Sequence, residues 1–347
     1  MVLYRRGLFA CAALAVLMGL SAARGQAAPP RTSPPAGAPN YTVGGVVYTD
    51  ARIFFARYGF RGSWLPGGRS LRFQSAKMRI EIEADKRDAI FNGLRVLLGD
   101  PVIVRGNALY LSRIDAEKLF APVLNPAGVP TPPAPVLRVI AIDPGHGGQD
   151  TGTQNKALKL NEKTFTLDVA LRLRRLLMAE GYKVVMTRTD DRFIPLPQRA
   201  DIANQAGADL FISIHFNSAE GSVRGTETYA MTPQFQRSTS TPNAQRDAGD
   251  VMAYPGNRND PWNAVLGYHM QSQVLGKLDS VDRGFKRARF AVLRLVNSPA
   301  VLVESGYLSD DAEARKICTV AYRDNIAEGI AAGIRAYALA ITTAKTP

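Results

Sequence analysis

Four residues that could carry chemistry stand at the ends of predicted strands and helices. His146 and His215 each follow a short, β-branched apolar run that is typical of a buried strand. Glu304 ends a third apolar run, and Glu162 begins a predicted helix, where the helix dipole keeps a carboxylate ionised. Two imidazoles suit zinc, and a catalytic zinc site needs a third protein ligand and an open position. Both glutamates are candidates for that role, so the sequence predicts a zinc centre.

Each of these residues also has a simpler interpretation. His146 could merely form a hydrogen bond within its glycine-rich turn, and Glu162 could be an ordinary acid at a helix start. Glu304 could pair with one of the many arginines. A carboxylate that ends so apolar a strand is costly to bury without a partner, and the partner we propose is a metal or a metal-bound water.

Predicted strands and helices alternate along residues 137–341. The strands are predicted at residues 139–142, 182–187, 209–214, 227–231, 290–295 and 300–303, and the helices at 163–179, 196–205 and 322–337. Because several strands are apolar on both faces, we expect an α/β fold with a mostly parallel open sheet and helices on both faces. Residues 232–265 are polar and rich in proline and glycine, which predicts a long irregular loop without helix that could shape the ligand groove.

The segments before this region differ in composition. Residues 1–25, with two arginines before a short apolar run, are typical of a cleaved secretory signal peptide, with an uncleaved anchor as the alternative. Residues 26–40 are predicted to be a flexible tether, and 41–124 a small mixed α/β accessory domain. The proline-rich stretch 125–136 predicts a semi-rigid linker before the main domain, 137–341. We therefore expect an exported protein of the periplasm or cell envelope, with no transmembrane segment after signal cleavage.

Composition narrows the choice of partner. The chain of 347 residues contains 2 cysteines, of which one lies in the predicted signal peptide, so a thiolate zinc site is excluded. The formal net charge of +13 favours an anionic polymer, although it could serve solubility alone. Basic residues are scattered and do not cluster with aromatic ones, which argues against nucleic acid as the partner. An acidic envelope polymer fits the export signal better.

Residues 137–337 resemble, motif by motif and in order, the zinc-dependent N-acetylmuramoyl-L-alanine amidases of the amidase type 3 family. The matching motifs are Ile-Asp-Pro-Gly-His-Gly-Gly at 142–148, Leu-Asn-Glu-Lys at 160–163, Ser-Ile-His-Phe-Asn at 213–217, Gly-Thr-Glu-Thr-Tyr at 225–229 and Pro-Ala-Val-Leu-Val-Glu-Ser-Gly-Tyr-Leu-Ser at 299–309. Further matches lie at Thr187 and Arg188, at Arg199, at 282–284 and at 292–294.

The resemblance implies a ligand set and a reaction. His146, Glu162 and His215 match the family's three ligands for one Zn²⁺ per chain, and Glu304 matches its catalytic glutamate. The substrate implied is peptidoglycan, cut at the amide between N-acetylmuramic acid and the first L-alanine of the stem peptide. Zinc would polarise the carbonyl and acidify a bound water, and Glu304 would pass the water's proton to the departing nitrogen.

Supporting roles are predicted for four further residues. Asp143 could orient a ligating imidazole from outside the ligand set or cap its own turn. Asn217 could contact substrate or hold its own loop. Arg188 and Arg199 are predicted to be structural ion-pair partners of the aspartates at 190, 191 or 201.

Other functions remain open at this point. The same ligands would serve a zinc peptidase or a deacetylase acting on another amide, and a wall-binding protein that has lost activity is a third possibility. No His-Glu-x-x-His run is present, which argues against the common zinc proteases. Residues 41–124 resemble the copper-amine-oxidase N-terminal-like domain in their strand pattern, which implies no copper and leaves binding and spacing as alternatives. An activator protein is possible, but the sequence does not identify it.

Overall fold

The computed structural model describes residues 40–240 and 246–344. The predicted signal peptide and residues 26–39 of the predicted tether lie outside the described residues. Residues 41–124 and 137–341 belong to one compact unit. Among the described residues, every helix is too short or too polar to cross a bilayer.

The N-terminal region is built mainly from short strands, as its alternating polar and apolar residues predict. Its strands are β1 (Tyr41–Val43), β2 (Val46–Asp50), β3 (Arg61–Trp64), β4 (Ser70–Gln74), β5 (Arg79–Glu83), β6 (Asp88–Phe91), β7 (Leu94–Leu97), β8 (Ile103–Arg105) and β9 (Ala108–Ser112). Its helical segments are α1 (Ala51–Ala56), α2 (Arg113–Asp115), a π-helical turn (Ala116–Phe120), α3 (Ala121–Leu124) and a 3₁₀ turn (Pro126–Gly128).

The region from Val139 onwards alternates strands with longer helices. The strands are β10 (Val139–Pro144), β11 (Gln154–Asn155), β12 (Leu160–Asn161), β13 (Lys183–Met186), β14 (Leu210–Asn217), β15 (Thr226–Met231), β16 (Asp282–Ala288) and β17 (Ala300–Tyr307). The helices are α4 (Glu162–Ala179), α5 (Leu196–Gln205), α6 (Asp260–Lys277), α7 (Ala291–Leu295), α8 (Asp311–Cys318) and α9 (Val320–Thr343), with 3₁₀ turns at Ala248–Val251 and Pro255–Asn259.

One sheet runs through both regions. Its order is β13-β10-β14-β17-β15-β16-β7-β6-β5-β4-β3. Among the described residues of 137–341, the strand pairs of this sheet are parallel except for β15–β17, so the predicted mostly parallel α/β sheet is confirmed there. The parallel pair β16–β7 joins the two regions, and strands β7 to β3 continue the sheet as antiparallel hairpins.

Helices cover both faces of the central strands. Helices α4, α6 and α9 enclose one buried core, and α5 and α7 enclose a second core on the opposite face. This arrangement explains why the first halves of β10, β14 and β17 are largely apolar, since each of their faces is packed against a helix.

Two predicted elements are wrong. Residues 290–295 were expected to form a strand, but Ala291–Leu295 form helix α7, whose Val292 and Leu293 are buried in the second core. A short, mostly apolar run fits a buried strand and a buried helical turn equally well. The expected irregular stretch also ends early, because helix α6 begins at Asp260, with Pro261 in its first turn. Helix α6 is buried on nearly all sides, so it lacks an amphipathic period.

A buried carboxylate links the N-terminal region to the strands that follow Val139. Asp115 is fully buried, and its carboxylate accepts hydrogen bonds from Arg287 of β16 and from the Gln236 side chain at 2.9 Å. The backbone N–H of Gly99 donates to the same carboxylate at 3.0 Å. A buried guanidinium is stable only with such a partner, so Asp115 holds three distant segments together.

We expect the Asp115→Asn variant to lower the free energy of unfolding by about 3 kcal/mol, because Arg287 is then left buried without a counter-charge. Since the regions share one sheet, the wild-type protein is expected to unfold in one transition. Denaturant unfolding followed by tryptophan fluorescence measures the free energy of unfolding and the number of transitions. The control is Asp85→Asn, which changes a carboxylate that is 72% exposed and should leave stability unchanged. Two separate transitions in the wild type would contradict this coupling and would favour independent domains at 41–124 and 137–341.

Candidate active site

His146 lies in a strained turn that follows the carboxyl end of β10. The backbone N–H of Gly145 donates to the carbonyl of Ile214 at 3.1 Å, which keeps the turn beside β14. His146 itself has a φ of 62°, in the left-handed region that a residue with a Cβ atom rarely adopts. Strain of this kind persists where the surrounding structure over-determines it, typically at functional sites.

Glu162 lies between the two histidines. It is the first residue of α4 and only 2% exposed. Its Oε2 lies 3.1 Å from Nε2 of His146, and its Oε1 lies 3.0 Å from Nδ1 of His215. The backbone N–H groups of Thr153 and Phe216 also donate to it, at 2.7 and 2.9 Å. Although burial opposes the charge, the contacts with His146 and His215 hold the pKa of Glu162 far below its usual value, so the carboxylate is ionised.

These three side chains form a group that could hold a metal ion. One ligand atom from each of His146, Glu162 and His215 lies within 4.8 Å of the other two. Two imidazoles and an ionised carboxylate are a donor set that suits zinc. The Oδ2 atom of Asp150 lies 2.9 Å from Nδ1 of His146, an arrangement that orients a ligating imidazole through its far nitrogen. The residues present therefore fit a zinc ion.

Glu304 stands beside this group on the neighbouring strand. It lies opposite His215 in the β14–β17 register. Its Oε2 atom is buried and has no hydrogen-bond partner among the described residues, nor does Glu304 form an ion pair with any of them. Burial, followed by the negative charges of Glu162 and Glu227, raises the pKa of Glu304 well above its usual value. A buried carboxyl oxygen without a partner, next to a metal-binding group, is placed to exchange a proton with a bound molecule.

Asp143 belongs to a buried network of polar side chains, and its predicted role in orienting an imidazole stays a prediction. Its carboxylate forms a buried ion pair with Arg199 at 2.8 Å and accepts hydrogen bonds from the hydroxyls of Thr187 and Ser213, at 2.6 and 2.8 Å. Arg199 in turn donates to the backbone carbonyl of His146 at 2.7 Å. Although burial opposes it, the positive charge of Arg199 holds the pKa of Asp143 below its usual value. Asp143 thus supports the His146 turn through Arg199.

The predicted partners of the two arginines are therefore wrong. Arg199 pairs with Asp143, and Arg188 donates to the backbone carbonyls of Pro144 and Gly145 at 3.0 and 2.8 Å. Arg188 meets the backbone carbonyl of Asp190, not its carboxylate. Both guanidiniums are buried, and the nearby carbonyls of a tight turn offer them more acceptors than the exposed aspartates do.

Two further acids belong to this site, and the sequence analysis did not single them out. Asp150 orients His146, and its position four residues later in the same glycine-rich loop is a signal that could have identified it. Glu227, on β15, accepts a hydrogen bond from Asn217 at 2.6 Å and pairs with Lys286. The structure thus places Asn217 against Glu227, and its predicted role as a substrate contact stays a prediction.

A cavity of about 390 Å³ opens over these residues. His146, His215 and Glu304 line its polar side. Apolar side chains from α5, α7 and β17 and from the residue before α7 also line it, namely Leu196, Ala291, Val292, Leu302 and Phe290. In the described ranges, no residue of the 232–265 stretch lines this cavity.

Gly145 leaves the space that the His215 ring occupies. A Cβ atom added at Gly145 would lie 2.3 Å from Cε1 of His215, far inside van der Waals contact. We expect the Gly145→Ala variant to displace the imidazole and to weaken zinc binding by roughly 10–100-fold. Competition for zinc with a coloured chelator measures the zinc affinity of each variant. The control is Gly276→Ala in α6, where the new atom meets nothing within 4 Å; equal zinc affinity in both variants would refute the placement of His215.

Taken together, the fold and the site define an α/β protein with a candidate metal-dependent hydrolase centre at the carboxyl ends of parallel strands. The family model for N-acetylmuramoyl-L-alanine amidase matches residues 140–336. The chain belongs to this family, as the motifs predicted.

Similar proteins carry the same description. Over 221 residues the chain is 36% identical to the N-acetylmuramoyl-L-alanine amidase AmiC of Escherichia coli O6:H1, an alignment that covers 57% of this chain and 52% of AmiC. It is also 36% identical, over 197 residues, to the sporulation-specific N-acetylmuramoyl-L-alanine amidase of Bacillus subtilis, covering 56% of this chain and 66% of that protein. The chain thus spans between about half and two thirds of these relatives.

A solved structure is also similar. The catalytic domain of CwlV, an N-acetylmuramoyl-L-alanine amidase from Bacillus (Paenibacillus) polymyxa var. colistinus, is 33% identical, with a TM-score of 0.48. The match covers 58% of this chain and 98% of that domain.

Proposed function

We propose that this protein is a secreted, zinc-dependent peptidoglycan hydrolase. It cleaves the amide bond between N-acetylmuramic acid and the L-alanine of the stem peptide. The observation that carries the proposal is the convergence of His146, Glu162 and His215 beside the buried, unpartnered Oε2 of Glu304. Membership of the amidase family supports the choice of bond.

The residues of the site have different roles in the proposed hydrolysis. His146, Glu162 and His215 would hold the zinc ion, and a bound zinc ion supplies Lewis-acid polarisation of a carbonyl oxygen. Glu304 takes a proton from the attacking water at Oε2 and delivers it to the amide nitrogen as the carbon–nitrogen bond breaks. Burial and the neighbouring negative charges of Glu162 and Glu227 raise the pKa of Glu304, which makes its carboxylate a stronger base than an exposed glutamate.

Export to the cell envelope is part of the same proposal. The segment 1–25 has the layout of a signal peptide, and the similar proteins are described as N-acetylmuramoyl-L-alanine amidases, which act on a polymer of the cell wall. The net charge of +13 suits an anionic substrate layer.

Incubation of the purified protein with peptidoglycan tests the proposal. We expect one zinc ion per chain by elemental analysis, and soluble stem peptides with an L-alanine amino terminus by mass spectrometry. Removal of the metal with a chelator should abolish hydrolysis, and added zinc should restore it. Cleavage between two amino acids would instead identify a peptidase, and release of acetate would identify a deacetylase. Full activity of the metal-free protein would exclude the zinc mechanism.

A further inference from the structure

The cavity over the candidate metal group has an apolar part that the proposed chemistry does not use. Its apolar lining comes from four places in the chain, namely Leu302 of β17, Val292 and Ala291 of α7, Phe290 directly before α7, and Leu196 at the start of α5. Neither metal binding nor proton transfer needs these side chains. An apolar lining beside a hydrolytic centre indicates a contact with an apolar part of the substrate.

Leu302 lies beside the candidate catalytic glutamate. It precedes Glu304 by two positions on β17, so both side chains are on the same face of the sheet. In the register with β14, Leu302 lies opposite Ser213 and Glu304 lies opposite His215. Two positions along a strand are about 7 Å apart. A leucine side chain at that distance can contact a substrate atom that lies next to Glu304.

Helix α7 and the residue before it add two further apolar walls next to Leu302. Val292 and Leu302 are 4% and 5% exposed and belong to the same second core. Phe290 is half-buried and packs against that core, with its ring centroid 5.0 Å from that of Tyr229. The apolar pocket is the part of the cavity lined by Phe290, Val292 and Leu302. Because closely packed side chains move little, such a pocket can distinguish substrate groups by size.

The charges around the cavity argue against an anionic group in this pocket. Apart from the two candidate histidine ligands, Arg199 is the one basic residue among the described residues that line the cavity, and Asp143 neutralises it at 2.8 Å. The other charged lining residues are the acids Asp150, Glu162 and Glu304. A carboxylate in the pocket would therefore meet no free cationic side chain, and a neutral apolar group is the complementary occupant.

The proposed chemistry indicates which part of the substrate lies at the apolar pocket. Glu304 delivers a proton to the departing amide nitrogen, so that nitrogen lies about 3 Å from the Glu304 carboxyl group during the transfer. The Cβ atom of the residue that carries the nitrogen is two bonds further away, at roughly 2.5 Å from it. The side chain of the first stem-peptide residue is therefore within reach of Leu302.

We propose that the apolar pocket binds the side chain of the first stem-peptide residue and selects the small apolar methyl group of alanine. This inference rests on the proposed function. It assigns the choice of the first residue to Phe290, Val292 and Leu302, and not to the residues that hold the metal or move the proton. Glycine leaves the pocket partly empty, a longer side chain overfills it, and the hydroxyl of serine loses its hydrogen bonds to water there.

Substrates that differ only in their first residue test this selection. Four soluble N-acetylmuramyl peptides are compared, with glycine, L-alanine, L-serine or L-2-aminobutyrate as that residue. For the wild type we expect kcat/KM to be highest with alanine, on the order of tenfold above glycine. Val292→Ala removes two methyl groups from the pocket and should raise the ratio of kcat/KM for aminobutyrate to that for alanine by about tenfold. This ratio does not depend on the fraction of folded enzyme in the preparation.

Two further variants make the test specific. Val296→Ala is the matched control, because Val296 is buried in the same second core and is not among the described residues that line the cavity. Its ratio should stay as in the wild type. Val292→Thr keeps the size of the side chain and should lower the preference for alanine over serine severalfold, which tests the pocket even if Val292→Ala does not fold.

The outcomes separate the apolar pocket from the proposed function. Wild-type preferences in both Val292 variants, or an equal shift in Val296→Ala, overturn the pocket while the proposed function stands. Equal hydrolysis of the glycine and alanine substrates by the wild type has the same meaning. If the wild type with bound zinc hydrolyses none of the four substrates, the proposed function fails and the pocket fails with it.

Discussion

The Glu304→Gln variant is expected to lose hydrolysis of peptidoglycan by about 10³-fold in kcat, within the range that a general acid–base residue contributes. Glutamine keeps the size of the side chain but cannot take up the proton of the attacking water. Because Glu304 is not one of the three residues grouped for metal binding, zinc content should stay at the wild-type level. Release of soluble stem peptides measures the activity, and elemental analysis measures the metal.

A companion variant separates this effect from general damage. Glu117→Gln changes a 60% exposed carboxylate in the N-terminal region and should retain full activity. The substitution should also leave the protein about as stable as the wild type, since the buried Oε2 of Glu304 has no hydrogen-bond partner among the described residues to lose. Substantial hydrolysis by Glu304→Gln with bound zinc would remove Glu304 from the proposed chemistry.

The Asp143→Ala variant is expected to lose about 3–5 kcal/mol of the free energy of unfolding, because it leaves the guanidinium of Arg199 buried without its partner. The side chains of Asp143 and Arg199 are at most 2% exposed, and Nη1 of Arg199 lies 2.8 Å from Oδ1 of Asp143. Arg199 also holds the carbonyl of His146, so zinc affinity should fall in the same variant. Denaturant unfolding at neutral pH measures the first effect, with Asp190→Ala, at a 55% exposed carboxylate, as the control.

The pH dependence of the free energy of unfolding provides an independent check on the ion pair between Asp143 and Arg199. The pKa of Asp143 in the folded protein lies below its ordinary value of 3.8. Its stabilising contribution is therefore present above 3.8 and is lost as the pH falls through the folded pKa. The stability difference between the wild type and Asp143→Ala should shrink in that acidic range, and a difference that persists there would show that the effect of the substitution is not electrostatic.

The residues of the candidate site could be predicted from the sequence because their signals are local. His146 and His215 follow apolar runs whose β-branched residues predict strands, and the structure has strands β10 and β14 there. Glu162 was predicted to begin a helix, and α4 begins at that residue. Parallel strands place their carboxyl ends at one edge, so the convergence of these residues also follows from the predicted fold class.

The partners of the site residues could not be predicted in the same way. Arg199 and Asp143 are 56 positions apart, and nothing local indicates that this aspartate rather than a nearer one binds the arginine. Helix α7 was mistaken for a strand because a short apolar run satisfies either structure until its neighbours are known. The ion-pair partner of a buried arginine and the conformation of a short apolar run both depend on the neighbours that the tertiary structure provides.

The sequence by itself thus determined the residue types of the candidate metal site, the strand ends that carry them and the family to which the chain belongs. Only the tertiary structure decided that the N-terminal region extends the catalytic sheet through the pairing of β7 with β16. The physical reason is that strand pairing over such a separation is set by the burial of Phe285 and Val96 in one shared core, and not by any local pattern in either strand.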